Sequence, residues 1–160
     1  MSDCIFCKII KGELPCAKVY EDDKTMAFLD IKPVNPGHVM VIPKEHHETI
    51  LDTPEDVLVA VILAVKKIAP AVLKAVGSEG FNLGVNNGAV AGQLVPHVHF
   101  HIMPRFPGDG HGLWDGRAYA NGEMQNVAAK IRNSLCPVIQ PRKVALGDHE
   151  VAAIARHSQD

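Results

Sequence analysis

The sequence lacks three features that would assign a class of protein directly. Its 16 Lys and Arg stand against 18 Asp and Glu, a formal net charge of −2, and this balance argues against a broadly basic nucleic-acid surface. The longest apolar run, from Val57 to Val65, is far shorter than the ~18–20 residues that a membrane-spanning helix needs. A secretory signal typically has a basic segment followed by a long apolar run, and the first residues of this sequence do not show this arrangement. We therefore expect a cytoplasmic protein with neither a membrane nor a nucleic-acid partner.

Cysteine is also scarce, with four in the chain, and one pair stands at a motif spacing. Cys4 and Cys7 form a CxxC that has no second CxxC to complete it. Such a pair is compatible with half a zinc site, a redox pair or two partly buried thiols. A zinc site needs four ligands, so two would have to come from elsewhere, and histidines are the candidates. Cys16 and Cys136 have no partner by motif.

Five short apolar runs predict strands. Residues 17–20 and 25–29 are separated by the polar letters EDDK and predict an antiparallel hairpin. A third strand is predicted over residues 38–42, a fourth over residues 81–85 and a fifth over residues 95–103, where hydrophobic residues alternate. Prolines or glycines lie in the connections that follow the hairpin and the fourth strand, which predicts loops there.

A long helix is predicted between the third and fourth strands. Thr53 can cap its first turn, and Pro54 suits the first helical position. The pattern continues to Val76, and Gly77 is typical of a helix end. Pro70 lies inside this helix and is expected to kink it, because proline removes one backbone hydrogen bond.

The order of these elements predicts an α+β fold, with a five-stranded antiparallel sheet and one long covering helix. A second, C-terminal helix is expected over residues 121–135. We expect one domain over residues 1–136, since this length can bury a sizeable core. Residues 137–160 contain two prolines and a glycine, and we expect them to form an extension.

Three histidines alternate with hydrophobic residues in the predicted fifth strand. Because successive side chains of a strand face opposite sides, His97, His99 and His101 would stand in a row on one face. Such a row favours either a histidine nucleophile supported by neighbouring imidazoles or a metal site. The three residues that would face the core on the other side are Val98, Phe100 and Ile102.

This pattern resembles the histidine triad of the HIT nucleotide hydrolases and transferases. The resemblance covers about residues 3 to 105, through CIFCKIIKGELPCAKVYEDD, AFLDIKPVNPGHVMVIPKEH and NNGAVAGQLVPHVHFHIMPR. The sequence is most similar to the Hint branch in its zinc-carrying microbial form, although AGQ and HIMPR also resemble the Fhit branch. The resemblance implies a HIT-like fold, a purine nucleotide substrate and a homodimer.

The resemblance also implies roles for individual residues. His99 would be the nucleophile that attacks the α-phosphorus, His101 would donate to phosphate oxygens, and His38 would support the triad. Asp30 would accept from the ribose hydroxyls. The base would lie against Ile5, Phe6, Ile9, Phe28 and Ile31, and the sugar and phosphate against Asn86, Gly92 and Gln93. Leu94 belongs to the same predicted nucleotide-binding set, but it departs from the Hint pattern, which usually has a small hydroxyl residue after the glutamine.

By the same resemblance, His46 and His97 complete a zinc site with Cys4 and Cys7. The zinc would be structural and would leave His99 and His101 free for catalysis. No organic cofactor is expected.

We therefore expect a hydrolase that cleaves a nucleoside phosphoramidate or nucleotidyl adduct through a covalent nucleotidyl-His99. A dinucleoside polyphosphate hydrolase is the alternative within the same class. Two other classes remain open at this point. One is a metallohydrolase in which all three triad histidines hold a catalytic metal, although one flat strand converges poorly on a tetrahedral ion. The other is a module that binds nucleotide without turnover.

Overall fold

The computed structural model describes residues 3–112, 114 and 116–135, and the predicted extension over residues 137–160 lies outside them. The domain boundary expected at residue 136 therefore stays a prediction. The described elements are α1 (Ile5–Ile10), β1 (Lys18–Glu21), β2 (Thr25–Leu29), β3 (Val39–Pro43), α2 (Glu55–Val76), β4 (Gly80–Val85), a 3-10 turn (Ala89–Ala91), β5 (Phe100–Arg105) and α3 (Glu123–Ser134).

The strands form one antiparallel sheet in the order β1-β2-β3-β5-β4. The prediction of an α+β fold with five antiparallel strands is confirmed. This order places β5, which carries part of the triad, between β3 and the edge strand β4. The described residues after Gly112 belong to a second compact unit, in which α3 buries none of its side chains.

Helix α2 packs along one face of the sheet because its apolar residues recur at helical spacing. Its first turn carries Glu55 and Asp56, which the helix dipole favours, and it ends where Gly77 adopts a left-handed φ of 67°. Two expectations differ from the structure. Thr53 does not cap the helix, since its hydroxyl donates to the Thr49 carbonyl at 2.6 Å, and Pro54 lies just before the first helical residue instead of at it. The helix continues through Pro70, and the kink expected there stays a prediction.

The core on this side of the sheet, which we call the α2 face, is almost entirely aliphatic. It joins residues from the strands to the buried stripe of α2, and none of its members is more than 8% exposed. The cluster consists of Ala27, Val39, Val41, Val61, Ala64, Val65, Ile68, Ala69, Val72, Val98, Phe100 and Ile102.

The opposite side of the sheet is covered by α1, a helix that the sequence analysis did not predict. Its six residues are too few to show a helical period, which explains the omission. A second core cluster lies here and contains Cys4, Phe6, Met26, Phe28, Met40 and Ile42. We call this side, with the histidines described below, the histidine face.

The predicted bounds of the fifth strand are wrong at both ends. Strand β5 runs from Phe100 to Arg105 instead of residues 95–103. Before it, His97 N–H donates to the Val95 carbonyl at 2.8 Å, a tight turn, and Val98 N–H donates to the His47 carbonyl at 2.7 Å. These bonds replace the strand pairing that alternation alone suggested. Smaller shifts of one or two residues occur at β1, β3, β4 and α3. Among the described residues, no helix is both long and apolar enough to cross a membrane.

Candidate active site

The triad histidines lie at the start of β5 and just before it. Although β5 begins only at Phe100, the alternation continues backwards, so that Val98 and Ile102 belong to the core of the α2 face. His97 is completely buried and His99 is 5% exposed. The rings of His99 and His101 are neighbours, with centroids 4.8 Å apart. The three side chains therefore share the histidine face, which the sequence analysis expected.

The ring of His99 is held so that one nitrogen keeps its lone pair. Its Nδ1 lies 2.6 Å from the His97 carbonyl oxygen, which can only accept, so Nδ1 carries the proton and donates. In the neutral ring Nε2 is then unprotonated, and this is the tautomer that a nitrogen nucleophile needs. The edge of Phe6 meets the His99 ring with centroids 5.3 Å apart. Backbone and packing together orient the ring.

A second pair of rings, His38 and His101, also has a defined proton arrangement. The Val34 N–H donates to His38 Nδ1 at 3.2 Å, so the proton of the neutral His38 ring is on Nε2. That Nε2 lies 2.9 Å from His101 Nδ1 and donates to it. His101 must then carry its own proton on Nε2. The pair therefore presents a hydrogen-bond donor at His101 Nε2.

Burial keeps this pair neutral at physiological pH. Desolvation lowers the pKa of His101 to about 4, helped by the neighbouring His99 and His38 and opposed by Asp30. Desolvation also lowers the pKa of His38, again against the raising effect of Asp30. A neutral His101 can still donate from Nε2, so the pair can stabilise charge on a substrate oxygen or a leaving atom.

Asp30 lies beside this pair at the end of β2. Its Oδ1 accepts the Lys32 N–H at 2.8 Å, and its Oδ2 lies 3.7 Å from His38 Nδ1. The side chain remains 18% exposed. Because each carboxylate oxygen has two lone pairs, Asp30 retains acceptor capacity for two hydroxyl groups. This is compatible with the predicted contact to a ribose.

The residues expected around the base are brought together only in part. Phe6 and Phe28 pack edge to face with centroids 5.5 Å apart, and Ile9 packs against the same cluster. Ile5 is 47% exposed and Ile31 is 92% exposed. The buried pair forms a rigid wall, whereas the two isoleucines leave apolar surface open to a ligand.

The loop before the triad is closed by its own amide. Gln93 Oε1 accepts the Gly88 N–H at 2.7 Å, and Gln93 Nε2 donates to the Glu48 and Val95 carbonyls at 2.6 and 3.1 Å. Both amide hydrogens are thereby used within the protein. Gln93 thus holds the loop together. Donation from its amide to a phosphate would require one of these bonds to open, whereas Oε1 keeps a second lone pair that can accept a sugar hydroxyl.

Three further residues of this loop were predicted to contact the nucleotide. Asn86 Nδ2 donates to the Gly92 carbonyl at 3.3 Å, and Gly92 has a φ of 84°, which favours glycine. Leu94 is 92% exposed and lines a cavity of about 380 Å³ together with Ile5 and His46. The departure from the Hint pattern at Leu94 therefore places an exposed apolar side chain at this cavity, next to Ile5 of α1.

The four predicted zinc ligands converge. Cys4 Sγ lies 3.6 Å from His97 Nδ1, Cys7 Sγ lies 3.7 Å from it, and His46 Nδ1 lies 3.3 Å from both Cys7 Sγ and His97 Nδ1. A tetrahedral ion with bonds of about 2.3 Å to sulfur and about 2.0–2.1 Å to nitrogen would separate its ligands by about 3.3–3.8 Å. The observed separations match this spacing, so the residues fit a zinc ion.

The ring of His97 is prepared for this role. Its Nε2 donates to the Pro43 carbonyl at 2.9 Å, which leaves Nδ1 unprotonated in the neutral ring. Burial lowers the pKa of His97 to about 4, so the ring is neutral at pH 7. Within the described residues, the potential metal-ligand groups place His97 with the cysteines and His101 with Asp30 and His38. The three triad histidines therefore do not converge on one ion, which argues against the metallohydrolase alternative.

Sequence reasoning missed several groups because they are backbone atoms. The Val34 N–H and the carbonyls of Pro43 and His97 decide which ring nitrogens carry protons. Every residue has a carbonyl and all but proline have an N–H, so the residue type does not predict these contacts. Helix α1 was missed as well, although the apolar letters IF and II around the CxxC were a weak signal.

Comparison with known proteins identifies the family. The HIT domain family model matches residues 11–108. "Adenylylsulfatase HINT3" from Arabidopsis thaliana is 42% identical over 149 residues, which span 89% of this chain and 75% of that protein. "Adenosine 5'-monophosphoramidase hnt1" from Schizosaccharomyces pombe is 45% identical over 113 residues, which span 71% of this chain and 81% of that protein.

A solved structure supports the same assignment. A Zn-bound histidine triad family protein from Mycobacterium smegmatis superposes with a TM-score of 0.66 at 30% identity, covering 83% of this chain and 98% of that chain. Residues 11–108, which the HIT domain family model matches, include the hairpin, β3, α2 and β5. The chain therefore belongs to the HIT domain family, on its Hint branch.

Proposed function

We propose that the protein is a hydrolase that cleaves a purine nucleoside phosphoramidate or nucleotidyl adduct at the α-phosphate, through a covalent nucleotidyl-His99. The observation that carries the proposal is the bond from His99 Nδ1 to the His97 carbonyl at 2.6 Å, which leaves Nε2 free to attack. The printed activities of two relatives, an adenylylsulfatase and an adenosine 5'-monophosphoramidase, support this substrate class.

The reaction takes place in two displacements at phosphorus. In the first, the Nε2 lone pair of His99 forms a bond to the α-phosphorus while the bond to the leaving group breaks. The leaving group departs with that electron pair and takes up a proton from the site. In the second, water adds to phosphorus, the N–P bond breaks, and its electron pair returns to Nε2. The water restores the proton that the leaving group took, so the sum is hydrolysis.

The neighbouring side chains have separate roles in these steps. His101 Nε2–H is the donor available to a phosphate oxygen or to the leaving atom, because His38 occupies its Nδ1. Asp30 accepts the ribose hydroxyls and so places the α-phosphorus relative to His99. The base contacts the exposed side chains of Ile5 and Ile31, and the buried, edge-to-face pair of Phe6 and Phe28 supports the same site.

We further propose that Cys4, Cys7, His46 and His97 hold a structural zinc. A bound zinc would supply a cross-link between the N-terminal segment and the triad segment, without contacting the reacting phosphorus. The ligand His97 also holds the ring of His99 through its own carbonyl, so the metal site and the nucleophile share one residue. The homodimer and the cytoplasmic location stay predictions from the resemblance and the composition.

Trapping the intermediate tests the central proposal. The wild type would be mixed with adenosine and guanosine phosphoramidates and with dinucleoside polyphosphates, quenched within milliseconds, and analysed by intact-mass and peptide mass spectrometry. A nucleotidyl adduct on His99 is expected, and substitution of the exposed His111 by alanine should leave it in place. Turnover without any adduct at His99 would exclude the covalent mechanism. Binding without turnover of any member would favour the non-catalytic module, and preference for polyphosphates would favour the alternative substrate class.

A further inference from the structure

A network of polar side chains holds the loop between β2 and β3 and has no part in the chemistry proposed above. The guanidinium of Arg105 forms two bonds to Asp109, Nε to Oδ2 at 2.7 Å and Nη2 to Oδ1 at 2.8 Å. Asn35 Nδ2 donates to the same Asp109 Oδ2 at 3.0 Å and to the Pro104 carbonyl at 2.9 Å. We call this network the Asn35–Asp109–Arg105 clasp. It connects the loop between β2 and β3 with the end of β5.

The clasp is sheltered and firmly bonded. The Asp109 side chain is 7% exposed, and it also accepts the N–H groups of Phe106 and His111 at 3.1 and 3.0 Å. Chiefly through its bond to Arg105, the pKa of Asp109 is held well below its usual range. Charge-assisted, two-pronged bonds of this kind restrict geometry more than a single neutral bond does. Asn35 is therefore attached to a rigid support.

From Asn35 the restraint passes directly to His38. Asn35, Pro36, Gly37 and His38 form a turn closed by the His38 N–H donating to the Asn35 carbonyl at 3.1 Å. Pro36 suits the second position of such a turn. Gly37, which has a φ of 84°, suits the third position, where a positive φ favours glycine. A Cβ at Gly37 would lie 2.7 Å from a methyl group of Val76, so the turn is also pressed against the end of α2.

The residue before this turn, Val34, controls the proton arrangement of the histidine pair. Its N–H is the donor on His38 Nδ1, and this one bond places the protons of His38 and His101 on their Nε2 atoms. Loss of that donor would let His38 carry its proton on Nδ1 instead. His101 Nδ1 would then face an acceptor, and the donor at His101 Nε2 would be lost. The direction of the whole pair thus depends on where the loop holds one N–H.

We propose that the Asn35–Asp109–Arg105 clasp is a positioning device for the histidine pair: it holds the Val34 N–H on His38 and thereby keeps a proton on His101 Nε2. In the described structure, no side-chain hydrogen bond of Asn35, Asp109 or Arg105 reaches the ring of His38, His99 or His101. They are positioning residues that act through the loop. Only the catalytic consequence of the clasp rests on the proposed function, since the proton arrangement is a property of the free protein.

The test measures ring tautomers and kinetics in the same proteins. Long-range ¹H–¹⁵N correlation spectra of the histidine rings in the full-length, zinc-loaded wild type should show His38 and His101 both protonated on Nε2. In Asn35→Ala we expect a part of the His101 rings to carry the proton on Nδ1 instead of Nε2. We also expect kcat to fall roughly tenfold for a phosphoramidate with a poor alkylamine leaving group, with KM and the rate on a good leaving group within about twofold.

Two controls separate positioning from general weakening. Asn82→Ala removes the bond from Arg105 Nη1 to Asn82 Oδ1 at 2.6 Å but leaves Asn35 bonded to Asp109, so tautomers and kcat should match the wild type. Val34→Pro deletes the N–H itself and should reproduce the Asn35→Ala tautomers, whereas Val34→Ala, which changes the same exposed side chain, should not. If Asn35→Ala does not fold, the comparison of Val34→Pro with Val34→Ala still tests whether the Val34 N–H decides the tautomers.

The proposal is overturned if Asn35→Ala keeps the wild-type tautomers, if Asn82→Ala changes them equally, or if Val34→Ala behaves like Val34→Pro. These results are distinguishable from failure of the proposed function. A wild type without turnover, whose tautomers still change in Asn35→Ala, would refute the hydrolase and support the clasp. Turnover through His99 with tautomers indifferent to Asn35 would refute the clasp alone.

Discussion

The two faces of the sheet are stabilised in different ways. On the α2 face, a regular helix lays one aliphatic stripe against the strands, and the buried residues are valine, isoleucine, alanine and one phenylalanine. On the histidine face, a six-residue helix and a loop cover aromatic residues, methionines and buried imidazoles. The first face gains its stability from apolar area. The second has little regular cover and relies on specific polar contacts and, we propose, on a metal.

This difference separates stability from function in one small domain. Burial of apolar area is non-directional and tolerates substitutions that conserve volume. Imidazole tautomers and metal ligands are directional, and an error of one bond changes what the group can do. We therefore expect substitutions on the α2 face to change the free energy of unfolding, and those on the histidine face to change chemistry as well. The predictions below would break or sharpen this contrast.

The largest effect is expected at His99, the proposed nucleophile. His99→Ala should reduce turnover of an adenosine phosphoramidate by roughly 10³-fold or more, because it deletes a bond that forms only along the reaction path. Binding of nucleoside monophosphate should survive, since the ribose and base contacts remain. Steady-state kinetics and calorimetric titration measure the two quantities. His111→Ala, at an exposed position, should change neither turnover nor binding. A fully active His99→Ala enzyme would contradict the proposal that His99 is the nucleophile.

Loss of the proposed zinc should produce the next largest effect, this time on stability. Cys4→Ser with Cys7→Ser should lower the free energy of unfolding by several kcal/mol, because metal binding contributes directly to folding. Turnover at low temperature should fall less than in His99→Ala. Elemental analysis of protein purified without chelator should find one zinc per subunit in the wild type.

Cys16→Ser serves as the matched control for the cysteine pair, since Cys16 is exposed and lies outside the ligand cluster. It should keep both the zinc and the wild-type melting temperature. A metal-free wild type with unchanged stability and activity would leave Cys4 and Cys7 without the role assigned here.

A core substitution on the α2 face should affect stability alone. Val61 is completely buried, and Val61→Ala should cost about 2 kcal/mol through lost apolar burial and a small cavity. Val59 lies on the same helix but is 57% exposed, so Val59→Ala should cost less than about 0.5 kcal/mol. Urea unfolding gives both values. If Val61→Ala also changed kcat below its unfolding transition, the separation between the faces would be wrong.

The pH dependence of stability should reveal the half-buried imidazole of His101. Its pKa is lowered from 6.5 to about 4, so between these values the unfolded chain binds more protons than the folded one. Its contribution to stability is therefore complete above about pH 6.5 and is lost as the pH falls towards 4. The stability difference between wild type and His101→Gln should shrink by about 1–2 kcal/mol from pH 7 to pH 5. A pH-independent difference would contradict a half-buried His101 ring that stays neutral in the folded protein.

The smallest effect is expected at Leu94. Leu94→Ser would restore a hydroxyl at the position where the Hint pattern usually has one, and a single new hydrogen bond contributes about 1 kcal/mol. Turnover should therefore rise a few-fold on substrates with a poor leaving group and less on those with a good one. Leu51→Ser is the control, since Leu51 is 90% exposed elsewhere on the surface. Equal changes for both leaving groups would show that the hydroxyl is not needed there.

Much of the α2 face could be predicted from the sequence. Helix α2, the hairpin of β1 and β2 and strand β4 follow from repeating apolar patterns bounded by turn-forming residues, and these are local signals. The alternation around His99 also predicted which side chains would point away from the core. The zinc ligands came from the sequence only through the family resemblance, because nothing local connects Cys4 and Cys7 with His46 and His97.

The sequence alone thus determined the order of the main elements and the placement of His99 and His101 on one face of the sheet, because residue types and their periods are written in it. Only the tertiary structure decided that β5 begins at Phe100, that α1 covers the histidine face, and which nitrogen of each ring carries the proton. The physical reason is that these outcomes depend on backbone N–H and C=O groups and on contacts distant in sequence. Backbone groups are nearly the same at every position, so only the folded chain determines which of them meets an imidazole.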